Sequence, residues 1–293
     1  MSEGHVHHVH GEDGGMRPLT GAIALPAVIF CAELAGGWWS GSLALMADAT
    51  HVAVDLLGLG LSLFAAMLAR LPADPKRTYG YRRVEVLAAL GNAVALMVAT
   101  GFILREAWAR WQFATPGAAG PMMFIAGLGF VCNLGSAAML WRVSRGNINL
   151  RGALMHVLSD AAGSVGALLA GFVIWETHWY EADALVSALI CVGIVFTALW
   201  LLRDSVQILL EGAPPHLDLE EIRTALAALD GVKEVHDLHL WSLTQGQEAM
   251  SGHLVVAAGR DSGAVLKAGR DLLAEHFKLT HVTLQIEPEG TQE

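Results

Sequence analysis

Long apolar runs separated by short polar segments occupy the first two thirds of the chain. A helix needs roughly 20 mostly apolar residues to cross the hydrocarbon core of a bilayer, so each run predicts a transmembrane helix. Six runs meet this requirement, at about 19–39, 43–69, 84–108, 121–142, 150–175 and 183–203. The first run is too long for the apolar part of a secretory signal. The pattern therefore predicts an α-helical polytopic membrane protein with six spans.

The pattern changes at about residue 212, where polar and charged positions become frequent. Pro214 and Pro215 are expected to end the last membrane helix. The elements predicted after them are a helix with the capping pattern of Asp218 and Glu221, strands at Val232–Leu243 and Gly252–Ala258, a helix from Asp261 to about Phe277, and a strand at Val282–Ile286. The tail is thus predicted to be a small α/β domain of order αββαβ.

Basic residues predict the orientation of the spans. They are concentrated in the loops after the second and fourth spans, as Arg70, Lys76, Arg77, Arg82, Arg83, Arg142, Arg145 and Arg151. The loop between the fifth and sixth spans has no lysine or arginine. The positive-inside rule then places both termini in the cytoplasm, and we expect an integral protein of the bacterial inner membrane.

Composition agrees with a membrane protein, because 54% of the residues are hydrophobic and only 16% are charged, which disfavours a soluble enzyme. The formal charge of −10 argues against binding to nucleic acid. The three cysteines lie within spans and lack metal-site spacing, so we interpret Cys31, Cys132 and Cys191 as packing residues.

Two copies of one short pattern lie in the second and fifth runs. His51 precedes Asp55 by four residues, and His156 precedes Asp160 by four, a spacing that puts each pair on one face of a helix. Ionisable groups inside a membrane are costly and mark functional sites. Two imidazole nitrogens and two carboxylate oxygens suit a tetrahedral ion such as Zn²⁺. Polar contacts between helices are the alternative, but two matching pairs flanked by small residues favour a metal site.

Charge balance indicates what such a site would do. One zinc ion, two aspartates and two neutral histidines form a net-neutral cluster, which a low dielectric tolerates. When the metal leaves, the same groups are expected to take up protons. Exchange of metal for protons therefore follows more naturally than a channel. Asp48, one turn before His51, is a candidate carboxylate at the entry to the site or behind a ligand.

Four motifs carry a family resemblance over nearly the whole chain. They are Ser42–Asp55, Tyr79–Leu90, His156–Asp160 and His236–Trp241. Through them the chain resembles the zinc-type cation diffusion facilitators. The resemblance implies a homodimeric exporter that moves Zn²⁺ out of the cytoplasm in exchange for H⁺, by alternating access between the second and fifth helices. It assigns the transport ligands to His51, Asp55, His156 and Asp160.

The resemblance also implies a division of the chain. Residues 1–17 are expected to be a disordered cytoplasmic N-terminus, residues 18–211 the transport domain, and residues 212–293 a metal-responsive, ferredoxin-like dimerisation domain in the cytoplasm. Arg83 and Glu211 occupy the positions of an interlocking charge pair near the dimer axis. We expect these two side chains to be partly shielded from water. Their ion pair would then hold the membrane domain to the hinge that leads into the tail.

A metal site in the tail is a further implication of the resemblance. His236 and His239 are three residues apart, which on a regular strand turns them to opposite faces. We therefore favour His239, His253 and Glu287 as ligands, with His236 as the alternative. Gln285 stands where family members have a histidine, and it is a poor ligand. Hydrogen-bonded histidines without a metal are the other interpretation.

Family members with an additional metal in the loop after the second span bind it through an aspartate and histidines. In this chain Asp74 is present, but Arg77 and Tyr81 stand at the histidine positions. Arginine cannot bind a cation as a ligand, so we expect no metal site in this loop.

A histidine-rich tract, made of His5, His7, His8 and His10, precedes the first span. Such a tract favours weak metal capture. A solvated tail without metal fits the composition equally well.

Other functions compete with a proton-coupled exporter. A facilitative channel or uniporter would move metal without protons, and a membrane metal sensor would signal through the tail. A metal-dependent enzyme needs an open coordination position and a base, and the sequence has no HExxH motif. Six spans around a buried site favour translocation, and its nitrogen and oxygen donors fit zinc better than thiophilic ions.

Overall fold

The computed structural model describes residues 16–114, 116–143, 148–244 and 246–290, without the side chains of residues 16–27, 142–143, 148–153 and 156. The histidine-rich tract lies outside the described residues. Six long helices come first: α1 (Met16–Ser40), α2 (Leu43–Ala69), α3 (Arg83–Gln112), α4 (Ala119–Val143), α5 (Ile148–Thr177) and α6 (Glu181–Leu209). In the described part, α2 to α6 are each long and apolar enough to cross a membrane, and α1 is the sixth helix. The predicted six-helix architecture is confirmed.

The chain divides into two compact units. One runs to Leu59 and includes Val94–Ala198. The other consists of Gly60–Ala93 together with the chain from Leu199 onward. Because the boundaries fall inside α2, α3 and α6, each unit combines helix segments from distant parts of the sequence.

Small side chains pack the helices of the first unit. Its main buried cluster includes Ala44, Ala126, Ala167, Ala170 and Ala182. Larger apolar side chains such as Phe102, Leu189 and Phe196 point outward and are mostly exposed. This is the arrangement expected of membrane helices, because small residues let helix backbones approach while bulky ones face lipid.

A polar junction joins the ends of three helices in the first unit. The Asp183 carboxylate, near the start of α6, accepts hydrogen bonds from the Ser42 hydroxyl (2.7 Å) and from the backbone N–H groups of Leu43 and Ala44 at the start of α2. Arg110, near the end of α3, lies 3.8 Å from the same carboxylate and donates to the Gly41 carbonyl. A carboxylate at a helix N-terminus satisfies its free N–H groups and complements the helix dipole.

The tail has the predicted order αββαβ. Its elements are α7 (Leu219–Ala227), β1 (Val232–Thr244), β2 (Gln247–Val256), α8 (Ser262–His276) and β3 (His281–Pro288). β2 is central, antiparallel to β1 and parallel to β3. Both helices contribute to one apolar core with the sheet, which includes Ile222, Leu226, Leu254 and Leu273. The opposite face of the sheet carries the polar side chains His236, His253 and Glu287 together with apolar ones such as Trp241 and Val255.

Two details of the tail differ from the sequence prediction. β2 begins at Gln247, five residues before the predicted Gly252, because β1 and β2 pair directly from the turn at Gly246, with Thr244 opposite Gln247. Asp218 does cap α7, but its side chain accepts from the Glu220 N–H at 2.8 Å instead of from Glu221.

A β-bulge interrupts β1 between His236 and His239. Asp237, the residue after His236, has a φ of 47°, in the left-handed region that non-glycine residues rarely occupy. The bulge adds a residue to β1, so Val235 and Leu238, three positions apart, both point into the core.

Candidate metal centres

The first candidate centre lies between α2 and α5. His51 Nε2 is 3.3 Å from Asp55 Oδ2 and 3.7 Å from Asp160 Oδ1. Two ligands of a tetrahedral zinc ion are each about 2.0–2.2 Å from the metal and hence about 3.3–3.6 Å apart. His51 Nε2 is thus close to this separation from each aspartate, but the donor atoms of the three side chains do not all lie within 4.8 Å of one another in the described structure.

His156 occupies the expected place on the backbone, one helical turn before Asp160 within α5; its side chain is outside the described part. Asp48 lies on α2 one turn before His51 and is buried. A Cβ atom on Gly163 would lie 3.6 Å from Asp48 Oδ1, an ordinary van der Waals distance, so α5 packs against α2 at this level.

Residues of this centre are mostly enclosed, with 13% of the His51 side chain and 14% of the Asp160 side chain exposed. Asp55 is the most accessible of the three, at 29%. Two ionised carboxylates in such a place repel each other unless a cation or protons balance them. The centre is therefore expected to favour a bound cation or bound protons.

The second candidate centre is on the face of the tail sheet away from the core. Among the described residues, His236, His253 and Glu287 form the one group of three potential ligands whose donor atoms all lie within 4.8 Å of one another. His236 Nε2 is 3.2 Å from Glu287 Oε2, and His253 Nδ1 is 2.9 Å from Glu287 Oε1. Two imidazoles and one carboxylate are a donor set that zinc accepts.

Strand register assembles this group from distant parts of the sequence. His236 on β1 pairs with His253 on β2, which pairs with Gln285 on β3, two residues before Glu287. The rings of His236 and His253 are 5.2 Å apart, edge to face. Strand partners on one face of a sheet are close enough to share a ligand.

The prediction that His236 and His239 face opposite ways is wrong, because the bulge adds a residue between them. Both histidines lie on the face away from the core. His239 is 62% exposed and its Nε2 contacts Asp237 Oδ1 at 2.7 Å, while Asp237 Oδ2 is 3.7 Å from His253. The structure thus brings His236, the alternative ligand, to His253 and Glu287, and places His239 behind Asp237 at the edge of the group.

Glu287 is held as a carboxylate. Burial acts to raise its pKa, but the hydrogen bonds from Gln285 (2.8 Å) and His236 and the charges of His253 and His236 lower it below its ordinary value. A carboxylate that is already ionised can bind a cation without first losing a proton. Gln285, a poor ligand, therefore contributes by orienting Glu287.

In the loop after α2, the Asp74 carboxylate accepts hydrogen bonds from neighbouring groups of the loop itself. Asp74 Oδ1 accepts from the backbone N–H groups of Lys76 (2.7 Å) and Arg77 (2.8 Å). Its Oδ2 accepts from Arg77 Nη1 at 3.2 Å and from the Tyr81 hydroxyl at 3.1 Å. The guanidinium of Arg77 also lies over the Tyr81 ring. These donors, the Lys76 N–H first among them, lower the pKa of Asp74 and occupy the oxygens that a metal would need.

Two polar contacts join α3 to the tail within the second unit. Arg83 Nη2 donates to Glu211 Oε1 at 2.8 Å, with 38% and 61% of the side chains exposed. The pair exists within one chain, but Glu211 is more exposed than the partly shielded position that we expected. Thr244, at the end of β1, donates to Glu85 Oε2 at 2.9 Å.

Two buried acidic residues escaped the sequence analysis as functional candidates. Glu33 lies within α1, and Asp183 lies at the polar junction. The available signal for Glu33 was a lone glutamate in an apolar run, which is costly in a membrane and therefore informative.

Comparisons with known proteins identify the family of the chain. Residues 19–210 match the transmembrane domain of the cation efflux family, and residues 214–289 match the cytoplasmic domain of cation efflux proteins. The chain belongs to the cation efflux family. It is a membrane protein for metal cation efflux, and its resemblance to the cation diffusion facilitators is confirmed.

Similar family members come from distant organisms. The metal cation efflux protein CzcD of Cupriavidus metallidurans is 38% identical over 98% of this chain and 90% of its own length. The zinc transporter ZitB of Escherichia coli K12 is 38% identical over 94% and 88%. The zinc transporter ttm-1 of Caenorhabditis elegans is 36% identical over 90% of this chain and 69% of its own.

A solved structure, the metal-bound C-terminal domain of the Cupriavidus metallidurans CzcD transporter, is also similar. It is 36% identical and covers 24% of this chain and 99% of that domain, with a TM-score of 0.23.

Proposed function

We propose that this cation efflux protein exports Zn²⁺ from the cytoplasm in exchange for protons, by alternating access around His51, Asp55, His156 and Asp160. One observation carries the proposal: His51 on α2 lies 3.3 Å from Asp55 on the same helix and 3.7 Å from Asp160 on the facing helix. The spacing of His156 within α5 adds the fourth donor. The zinc transporters among the relatives support zinc as the ion.

Proton exchange is supported by the charge of the site. Two aspartates and two neutral histidines balance a divalent ion. Without the ion the same groups attract protons, so departure of zinc and arrival of protons are coupled through shared atoms. A channel would not require this competition.

The tail supplies the regulatory part of the proposal. His236, His253 and Glu287 would bind zinc and stabilise the domain in a homodimer, since the tail matches a dimer domain of zinc transporters. The basic loops after α2 and α4 support an orientation with both termini and the tail in the cytoplasm.

Flux into proteoliposomes tests the proposal. Purified protein should load zinc into vesicles with an acidic interior faster than into vesicles without a pH gradient, while a trapped pH dye reports proton exit. Zinc flux that leaves the dye unchanged would favour a uniporter.

Asp160→Ala should abolish this flux, because it removes a ligand and half of the balancing charge. Asp204→Ala, which removes an exposed aspartate of α6, is the matched control and should transport normally. Normal zinc flux in folded Asp160→Ala would reject the site.

A further inference from the structure

A second polar cluster lies beside the transport centre in the first unit. Glu33 on α1 is 1% exposed and Asp48 on α2 is 5% exposed, and their carboxyl groups are in contact. Two buried carboxyl groups in contact cannot readily both be ionised without a balancing cation, so we expect the pair to hold a proton.

Ser164 on α5 completes the cluster and is also 1% exposed. A Cβ atom on Gly129 of α4 would lie 2.9 Å from Glu33 Oε1 and 3.3 Å from Ser164 Oγ, so both atoms occupy the space that a side chain at Gly129 would fill. Within the described residues, Glu33 Oε2 and Ser164 Oγ have no hydrogen-bond partner. An unsatisfied buried hydroxyl beside a carboxyl group can pass or accept a proton.

The position of the pair suits proton exchange from the far side of the membrane. Asp48 is five residues from the start of α2, about 7.5 Å along the helix. Glu33 is seven residues from the end of α1, about 10 Å. Both therefore lie between the transport centre and the end of the helices opposite the basic loop after α2.

The charged groups around the pair link it to the metal. His51 lies one turn beyond Asp48 on α2, and Asp160 lies one turn before Ser164 on α5, so metal ligands adjoin the cluster on both helices. An uncompensated Asp160 carboxylate favours a proton on the pair, whereas a divalent cation bound to Asp160 favours its loss. The O–H bond of the pair would break as zinc binds, and the proton would leave to water.

We propose that Glu33 and Asp48 form a proton-binding site separate from the metal ligands, which releases one proton when zinc binds and regains it when zinc leaves. The proposal rests on the function proposed above and adds the residues that hold one exchanged proton.

Proton release in weakly buffered solution tests the proposal. Full-length purified protein is titrated with zinc, and a pH-indicator dye gives the number of protons released per zinc bound. Glu33→Gln should release about one proton fewer per protomer than the wild type, because a glutamine keeps the shape but cannot ionise. By linkage its zinc affinity should be lower and should depend less steeply on pH, by about one proton per zinc bound. Protons released by the tail are the same in both proteins and cancel in the difference.

Asp48→Asn should remove the same proton, and the double variant should lose no more than either single variant, because the pair shares it. Glu176→Gln, at an exposed glutamate of α5, is the control and should release as many protons as the wild type. Unchanged proton release in Glu33→Gln and Asp48→Asn would overturn the proposal. Normal zinc binding in a tail-ligand variant that also carries Asp160→Asn would instead overturn the transport site, whatever the pair does.

Discussion

The two candidate metal centres of this protein are built in opposite ways. The centre between α2 and α5 uses residues four apart within a helix, so each half of it is local in sequence. The tail centre uses one residue from each of three strands, and Glu287 is 51 residues from His236. A local pair is fixed by helix geometry, whereas the tail group depends on strand register and on one bulge.

The surroundings of the two centres differ as much as their construction. The first lies in apolar helices, where charge must be balanced by a cation or protons. The second lies on a sheet face, where Gln285 and His236 already hold the Glu287 carboxylate. The first is therefore suited to passing an ion on, and the second to holding one.

Removing charge from the membrane centre should have the largest effect. Asp55→Asn keeps the shape of the ligand but leaves zinc with one uncompensated positive charge. Breaking a buried charge pair costs about 3–5 kcal/mol, so we expect zinc flux in proteoliposomes to fall by more than about 100-fold. Asp204→Asn is the matched control. Flux within a fewfold of wild type would mean that Asp55 does not balance the ion.

In the tail centre, the effect of replacing a histidine should depend on where that histidine lies relative to Glu287. His253→Ala should weaken zinc binding at the tail by about 10-fold or more, as loss of a ligand or its support usually does. His239→Ala should change it much less, because His239 contacts Asp237 and not Glu287. Both variants are compared by calorimetric zinc titration of the full chain that also carries Asp55→Asn. This change weakens zinc binding at the membrane centre, so the titration reports on the tail. Equal losses in the two variants would bring His239 back into the ligand set.

Ion selectivity should change when the membrane centre loses an imidazole nitrogen donor. His51→Asp replaces an imidazole with a harder oxygen donor, so the preference for zinc should relax toward manganese or cadmium. Competition between these ions during zinc flux measures the ranking. The ranking should stay the same in His253→Ala, since that residue belongs to the tail. A wild-type ranking in His51→Asp would show that this ligand does not set selectivity.

The smallest effect is expected at the exposed pair between α3 and the end of α6. Glu211→Arg and Arg83→Glu should each lower thermal stability and transport slightly, and the double swap should recover part of both. An exposed ion pair is worth about 0–1 kcal/mol, and this one is 38% and 61% exposed. Thermal melting curves and zinc flux are measured for the wild type, the two single variants and the double variant, which together form a double-mutant cycle. A double swap no better than the single variants would show that the residues act independently.

The difference between the centres also explains what the sequence could predict. His51 and Asp55 lie on one face of α2 because a four-residue spacing has one meaning on a helix, whereas the approach of Asp160 depends on how α5 packs against α2. The order of the tail elements was predictable for a similar reason, since strand and helix spacings differ. Ligand choice in the tail was not, because a positive φ at Asp237 shifts the parity of β1 after His236.

Glu33 was missed for another physical reason. Its partner Asp48 is on the next helix, and the contact depends on the tight turn at Gly41, whose φ is 71°. Apolar spacing identifies helices but does not state which of their faces meet. A buried glutamate could be noticed from the sequence, whereas its pairing required the fold.

The polar junction at Asp183 has a mechanical consequence for α2. The carboxylate is hydrogen-bonded to the first turn of that helix, so this end of α2 is tied to the start of α6. His51 is eight residues from Leu43, and the far end at Ala69 is 26 residues away, or about 12 Å and 39 Å along the axis. If α2 tilts rigidly about its fastened end, it behaves as a lever, and its far end sweeps about three times the distance that His51 moves.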